Sequence, residues 1–186
     1  MLVSTVLQPL ESSSIATEAR HRRRERPLKA KLTTVLLLAV VLLAITPSAA
    51  LASFSPSTYR ANLQAAINHY RVNHGLCKLK VNLNLQRAAS AHSGNMAKHH
   101  MLSHSSYSGI SWSQRIRWYG YRGSWIGENL AVGQWTAKTT LRAWINSAPH
   151  RANLLGSHYR AIGIGVARGV WAGRWAYYIT ADFGGP

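Results

Sequence analysis

The chain has 186 residues, enough for one domain, and carries 22 Lys/Arg against 5 Asp/Glu, a formal net charge of +17. Its single cysteine, Cys77, excludes an intrachain disulfide framework. No zinc-finger spacing, RNP-type aromatic motif or basic recognition helix accompanies the charge, which argues against specific nucleic-acid readout and leaves anionic cell-wall polymer or lipid as the partners such a field favours.

Residues 1–52 read as a secretory signal peptide with a long basic n-region. Arg20, Arg22, Arg23, Arg24, Arg26, Lys29 and Lys31 precede a charge-free apolar run from Val35 to Ile45. Pro47 breaks the run, and Ala50-Leu51-Ala52 supplies a small-x-small site, with cleavage expected after Ala52. The run is shorter than the roughly 20 residues a membrane span needs. Residues 53–58 read as a short linker and 59–186 as the folded domain, long enough for one core without staples. Export with one cysteine suggests a bacterial-type secreted protein, expected to be a monomer, with Cys77 a small buried hydrophobe. Beyond Ala52, fifteen Lys/Arg face only Glu128 and Asp182. A carboxylate that binds a cation or moves a proton is therefore to be sought first at Glu128, in Gly127-Glu128-Asn129-Leu130.

Ser55-Pro56 reads as the cap and first position of a helix, with Tyr59, Leu63, Ile67 and Tyr70 on one stripe and Gly75 past its end. Leu79–Leu83 is a short extended connector. A second helix starts near Asn84 and carries Leu85, Ala88, Ala89, His92 and Met96 on one face. His92 on that apolar face is expected to be a core histidine; His99 and His100 suit the negative helix end or the surface. After a loop at Ser105–Gly109 comes a short helix over Trp112–Tyr119, closed by Gly120. Leu130–Val132 reads as a brief strand. Thr136 caps a helix carrying Leu141, Trp144 and Ile145, stopped by Pro149. Ile162, Ile164 and Val166 alternate with glycines, and Trp175, Tyr177, Ile179, Ala181 and Phe183 alternate with polar or small residues. Gly169 and Gly173 sit in the connection, giving a β-hairpin with one face buried. Helices first and an antiparallel pair last predict an α+β fold. Most of the seven tryptophans are expected in the core, including those in the Trp118, Tyr119, Tyr121, Trp125 cluster.

Local patterns stand out along the chain: Ala91-His92-Ser93, Ser103-His104-Ser105, Gly127-Glu128-Asn129-Leu130-Ala131, Trp144-Ile145-Asn146-Ser147 leading into His150-Arg151-Ala152-Asn153-Leu154-Leu155, and Gly163-Ile164-Gly165-Val166 with Asp182-Phe183-Gly184. In this order they resemble the bacterial SCP-domain branch of the CAP superfamily (cysteine-rich secretory proteins, antigen 5, pathogenesis-related 1), from about Tyr59 to Gly184. The resemblance implies a three-layer α-β-α sandwich with a small, mainly antiparallel sheet. It also implies a cavity in which two histidines and two acids can hold a divalent cation. Those positions fall on His104, Glu128 and His150, with Ser147 where the second acid stands in animal and plant members.

Two neutral imidazoles and a carboxylate suit Zn²⁺ or another divalent cation, with Glu128 either a third ligand or a hydrogen-bond partner of an imidazole. The missing acid and the positive field predict weak, optional binding, with no cofactor required. Ser147, His150 and Glu128 also supply triad residue types, but no Gly-x-Ser-x-Gly elbow marks a nucleophile, so no catalytic residue is assigned. The expected function is a secreted, non-enzymatic binding module with a His/Glu cavity and a basic surface for anionic wall or lipid. The alternatives are a metal-dependent hydrolase of peptide or cell-wall substrates and a structural envelope protein.

Overall fold

The computed structural model describes residues 54–186; the expected signal peptide at 1–52 lies outside the described residues. Leu51–Pro186 is a compact unit containing its own hydrophobic core, the property of a segment that folds alone.

Five helices and a four-stranded sheet make up the described residues: α1 (Pro56–Val72), β1 (Lys80–Val81), α2 (Leu83–Lys98), α3 (Trp112–Trp118), β2 (Trp125–Val132), α4 (Ala137–Asn146), α5 (Ala148–Leu154), β3 (Ala161–Trp171) and β4 (Arg174–Gly185). Helix starts follow local capping chemistry. Ser55 accepts from Thr58 N with Pro56 in the first turn, Asn82 accepts from Asn84 N and Leu85 N, and Ser111 and Thr136 each close a reciprocal capping box. α1 thus begins inside the segment read as a linker.

The sheet order is β1-β3-β4-β2, with β1 parallel to β3 and the other two pairs antiparallel. Tyr59, Leu63 and Ile67 of α1, Trp144 of α4 and Leu154 of α5 pack with Ile162, Ile164, Val166, Tyr177, Ile179, Ala181 and Phe183 on one face. On the other face Leu85 and Ala88 of α2 meet Ile116 of α3, and Met96 and Ala97 of α2 meet Leu130 and Tyr178. Alternation of side chains along each strand divides the two sets, and the result is a three-layer α-β-α sandwich of an α+β domain.

The hairpin therefore has both faces covered, not one. Gly163 and Gly165 face α2 so closely that a Cβ would overlap the backbone at Leu85–Gln86 and at Ala89–Ser90. Small residues on this face let a helix lie directly on the strands, and the pattern reads as polar only because glycine carries no apolar signal.

Other expectations also change. Pro149 does not stop a helix; it occupies the first turn of α5, where its missing N–H costs nothing, and Ser147 serves as cap to both α4 and α5. β2 spans eight residues, because pairing with β4 recruits Gly127, Glu128 and Asn129 despite their low strand preference. Gly169 lies within β3 opposite Ala176; the turn itself is Ala172-Gly173, both at positive φ. Cys77 is exposed, not buried. Trp144 is the one tryptophan buried to 1 %, whereas Trp118, Trp125, Trp135, Trp171 and Trp175 are exposed.

Arg71 continues the α1 stripe and is fully buried without an acid. Its guanidinium donates to the carbonyls of Cys77 (3.0 Å), Leu154 (2.8 Å), Gly156 (3.0 Å) and Tyr159 (3.4 Å), tying two loops and the end of α5 to α1. Planar, forked donors suit this multiple capping better than an ammonium would.

Two glycine substitutions separate these roles. Gly165→Ala is expected to destabilise by about 1–3 kcal/mol, the usual cost of overpacking a core. Gly94, exposed in mid-α2 with nothing within 4 Å of where a methyl group would stand, is expected to do the reverse. Gly94→Ala should gain about 0.5–1 kcal/mol through helix propensity. Chemical denaturation of both variants checks the pair; equal midpoints would refute the close-packing account.

Candidate functional site

β2 runs along the outer edge of the sheet, and three of its carbonyls are met by side chains instead of a further strand. Ile126 O accepts from Tyr159 Oη (3.3 Å), Glu128 O from Asn153 Nδ2 (3.1 Å) and Leu130 O from Trp144 Nε1 (2.9 Å). This closes an edge that would otherwise invite pairing. Asn129 Nδ2 donates to His150 O (3.0 Å) and Asn153 Nδ2 to Asn129 Oδ1 (2.8 Å), so α5 is fastened to β2 by the two asparagines of the sequence motifs. Gly127 is required for space, since a Cβ would overlap Tyr159 Oη.

Along this edge lies a cleft of about 310 Å³ lined by His104, Trp112, Ile126, Gly127, Glu128 and Asn153. Glu128 is buried at its floor. Its Oε1 accepts from His104 Nδ1 at 2.7 Å, and its Oε2 is paired with the Arg115 guanidinium, which also donates to His104 O at 3.3 Å. The loop bearing His104 is placed in turn by α2: His92, fully buried, donates from Nε2 to Ser103 O at 2.8 Å. His92 is thus a core histidine with a positioning contact.

Opposite Glu128 in the β2–β4 register stands Asp182, fully buried, with neither carboxyl oxygen bonded among the described residues. Burial, and then the Glu128 charge, hold Asp182 well above the ordinary carboxylate range, favouring its uncharged form. The site therefore pairs the Glu128 carboxylate with one guanidinium, beside a second acid whose uncharged form is favoured by burial.

His150 projects from α5 and bonds through Nδ1 to Ser147 Oγ at 2.9 Å. Burial lowers its pKa, and His104 is close enough to lower it further. The two imidazoles sense one another electrostatically, but His150 has no bond to Glu128: the carboxylate is engaged by His104 and Arg115. A Ser147–His150 pair exists, and the third member of a triad is directed elsewhere. Nε2 of His104 and of His150 makes no hydrogen bond among the described residues. With Nδ1 of His104 donating to the carboxylate, its Nε2 presents a lone pair; His150 does the same when its Nδ1–H donates to Ser147. These are the donors a divalent cation would meet, with Glu128 orienting an imidazole rather than ligating. Among the described residues no group of three His, Cys, Asp or Glu is gathered for a metal.

Sequence reasoning did not single out Arg115 or Asp182 as site residues. Arg115 carried a signal: it follows Trp112 by three positions on a stripe that ends in buried Ile116, and a cation on an apolar stripe needs a buried partner.

The electrostatics give opposite titrations. Glu128 raises the pKa of His104 from 6.5, while burial drives His92 down to about 4. Stability drawn from protonated His104 is full below about pH 6.5 and is lost as pH rises through its higher folded pKa; that drawn from neutral His92 is full above about 6.5 and is lost as pH falls toward about 4. Imidazole NMR at pH 5 should find His92 neutral and His104 charged. In Glu128→Gln the His104 pKa should fall to or below 6.5, because burial then dominates; an unmoved titration would contradict the pairing.

Comparison with known proteins agrees with this architecture. The model of the cysteine-rich secretory protein family, CAP, matches residues 64–183. An uncharacterized protein of Bacillus subtilis, YkwD, is 32% identical over 111 residues, covering 60% of this chain and 43% of its own. A second, the uncharacterized membrane protein YlbC, is 34% identical over 101 residues, covering 54% of this chain and 29% of its own. The chain thus spans less than half the length of these curated relatives. Among solved structures, an extracellular SCP-domain protein from Bacillus anthracis superposes with a TM-score of 0.63 at 24% identity, over 70% of this chain and 41% of that one. An outer surface protein of Borrelia burgdorferi gives 0.56 at 21%, over 67% and 90%. With the match covering most of the described residues, and with the sandwich and edge cleft in place, the chain belongs to the cysteine-rich secretory protein (CAP) family.

Proposed function

We propose that this protein is a secreted binding module, with the β2-edge cleft as a weak divalent-cation site and a basic surface that meets the anionic polymers or lipids of a cell envelope. One observation carries the cation reading: Glu128, locked between Arg115 and His104, turns His104 into an oriented nitrogen donor near His150. Two nitrogens without a ligating carboxylate make a site that takes Zn²⁺ loosely. The extracellular and outer-surface descriptions of two structural relatives support the location.

The surface reading rests on where the acids are. Both acidic side chains of the described residues are buried, so every exposed Lys, Arg, Asp or Glu there is a cation. Such a surface attracts polyanions, and the attraction falls with salt.

A second reading, a hydrolase of peptide or wall substrates, draws support from the 2.9 Å Ser147–His150 contact. It predicts turnover lost in Ser147→Ala; a peptide and muropeptide screen without turnover retires it.

Titration calorimetry of residues 51–186 with Zn²⁺ tests the cation site. The wild type should show weak binding that fades as pH falls through the raised His104 pKa, because protons compete for the same nitrogen. His104→Ala/His150→Ala should abolish the heat; equal heats in both proteins would overturn the reading.

A further inference from the structure

The tip of the β3–β4 hairpin is unlike the rest of the sheet. Residues 171–175 are five consecutive exposed positions at the end of strands that are otherwise largely buried. They include two indoles, Trp171 at 37 % and Trp175 at 56 % exposure. Ala172 and Gly173, with φ of 50° and 76°, form a tight two-residue turn of the kind that matches strand twist. Trp171 pairs across the turn with Arg174, and Val170 with Trp175. Strand alternation then puts Trp171 and Arg174 on one face, and Trp175, Val170 and Arg168 on the other. The Arg168 guanidinium lies 4.3 Å from the centre of the Trp175 ring, in keeping with this arrangement. Each face of the tip thus offers one indole and one arginine.

The tip is also braced. Val170 O accepts from Tyr178 Oη at 2.7 Å and from His100 Nδ1 at 3.0 Å, and Trp171 stands edge-on to Tyr178. A preformed projection loses little freedom on docking. Neither the close packing of α2 on β3 nor the β2-edge cleft requires exposed tryptophans here, so the fold and the site leave this feature unexplained.

We infer that the hairpin tip docks on an anionic phospholipid bilayer, Trp171 and Trp175 entering the head-group region while Arg168 and Arg174 meet lipid phosphates. The inference rests on the anionic-envelope reading above and names which part of the surface acts. Three observations select a bilayer over a wall glycan. The indoles lie on opposite faces of a projection, so they form no single platform for a chain to stack on. The residues between them, Ala172 and Gly173, supply no side-chain hydrogen bonds of the kind sugars need. Amphipathic indoles flanked by cations are, however, what the water–lipid interface accommodates. No exposed acidic side chain among the described residues opposes the approach.

Co-sedimentation of residues 51–186 with phosphatidylcholine vesicles, with and without phosphatidylglycerol, provides the test. Binding to the anionic vesicles is expected, weakening with salt. Trp171→Ala/Trp175→Ala should lower partitioning by about tenfold or more, and Trp175→Ala alone, at the more exposed ring, should lower it with the melting temperature kept. Arg168→Gln/Arg174→Gln should cost more than Lys138→Gln/Arg142→Gln, which removes the same charge from exposed positions of α4. Unchanged partitioning of the tryptophan variant, or equal losses in the two charge variants, would overturn the inference. A wild type that ignores the vesicles but is held by purified anionic wall polymer would overturn it while leaving the anionic-envelope reading intact; retention on neither would remove both.

Discussion

The Glu128 carboxylate, buried and shared by one guanidinium and one imidazole, is the contact on which the site depends. Burying an ion is costly unless its remaining lone pairs are met, and here Arg115 and His104 meet them from two different segments. The same carboxylate thereby joins α3, the Ser103–Ser105 loop and β2. Asp182 shows the other outcome of burial: with no partner of its own among the described residues and an ionised neighbour, it is driven toward neutrality. If both acids ionised, Arg115 would face two negative charges, and the local balance would be lost.

The site is positioned by packing some distance away. Glycines in β3 allow α2 to lie against the sheet, which fixes the depth of His92. His92 holds Ser103 O, and the adjacent His104 is set where it reaches Glu128. On the opposite side Arg71 gathers the carbonyls around the end of α5, the helix that presents His150. Two buried basic residues therefore place the two imidazoles, each by donating to backbone oxygen.

Features governed by local chemistry were legible in the sequence. The caps at Ser55 and Thr136, the stripes Tyr59-Leu63-Ile67 and Leu85-Ala88-Ala89-His92-Met96, and the final hairpin all follow from neighbouring residues alone. The order of motifs was enough for the family and its sandwich. What depended on distant partners was not legible. β2 is longer than its propensities suggest because β4 pairs with all of it. Arg71 and Arg115 occupy core positions because carbonyls and Glu128 receive them. Pro149 signals a boundary in either direction, and only the path of the chain decides that it opens α5. The tryptophans misled because bulk and apolarity argue for a core, and a surface that uses them shows the same composition.

The confinement of both acidic side chains to the interior has a consequence for how the molecule can be controlled. Most proteins carry exposed carboxylates, so mild acidification alters the sign pattern of their exterior. Here acidification finds no outer Asp or Glu to discharge among the described residues and adds only positive imidazoles, while lysine and arginine stay ionised far above neutrality. Attachment to a polyanion, as proposed above, would be released by competing ions and not by acidification.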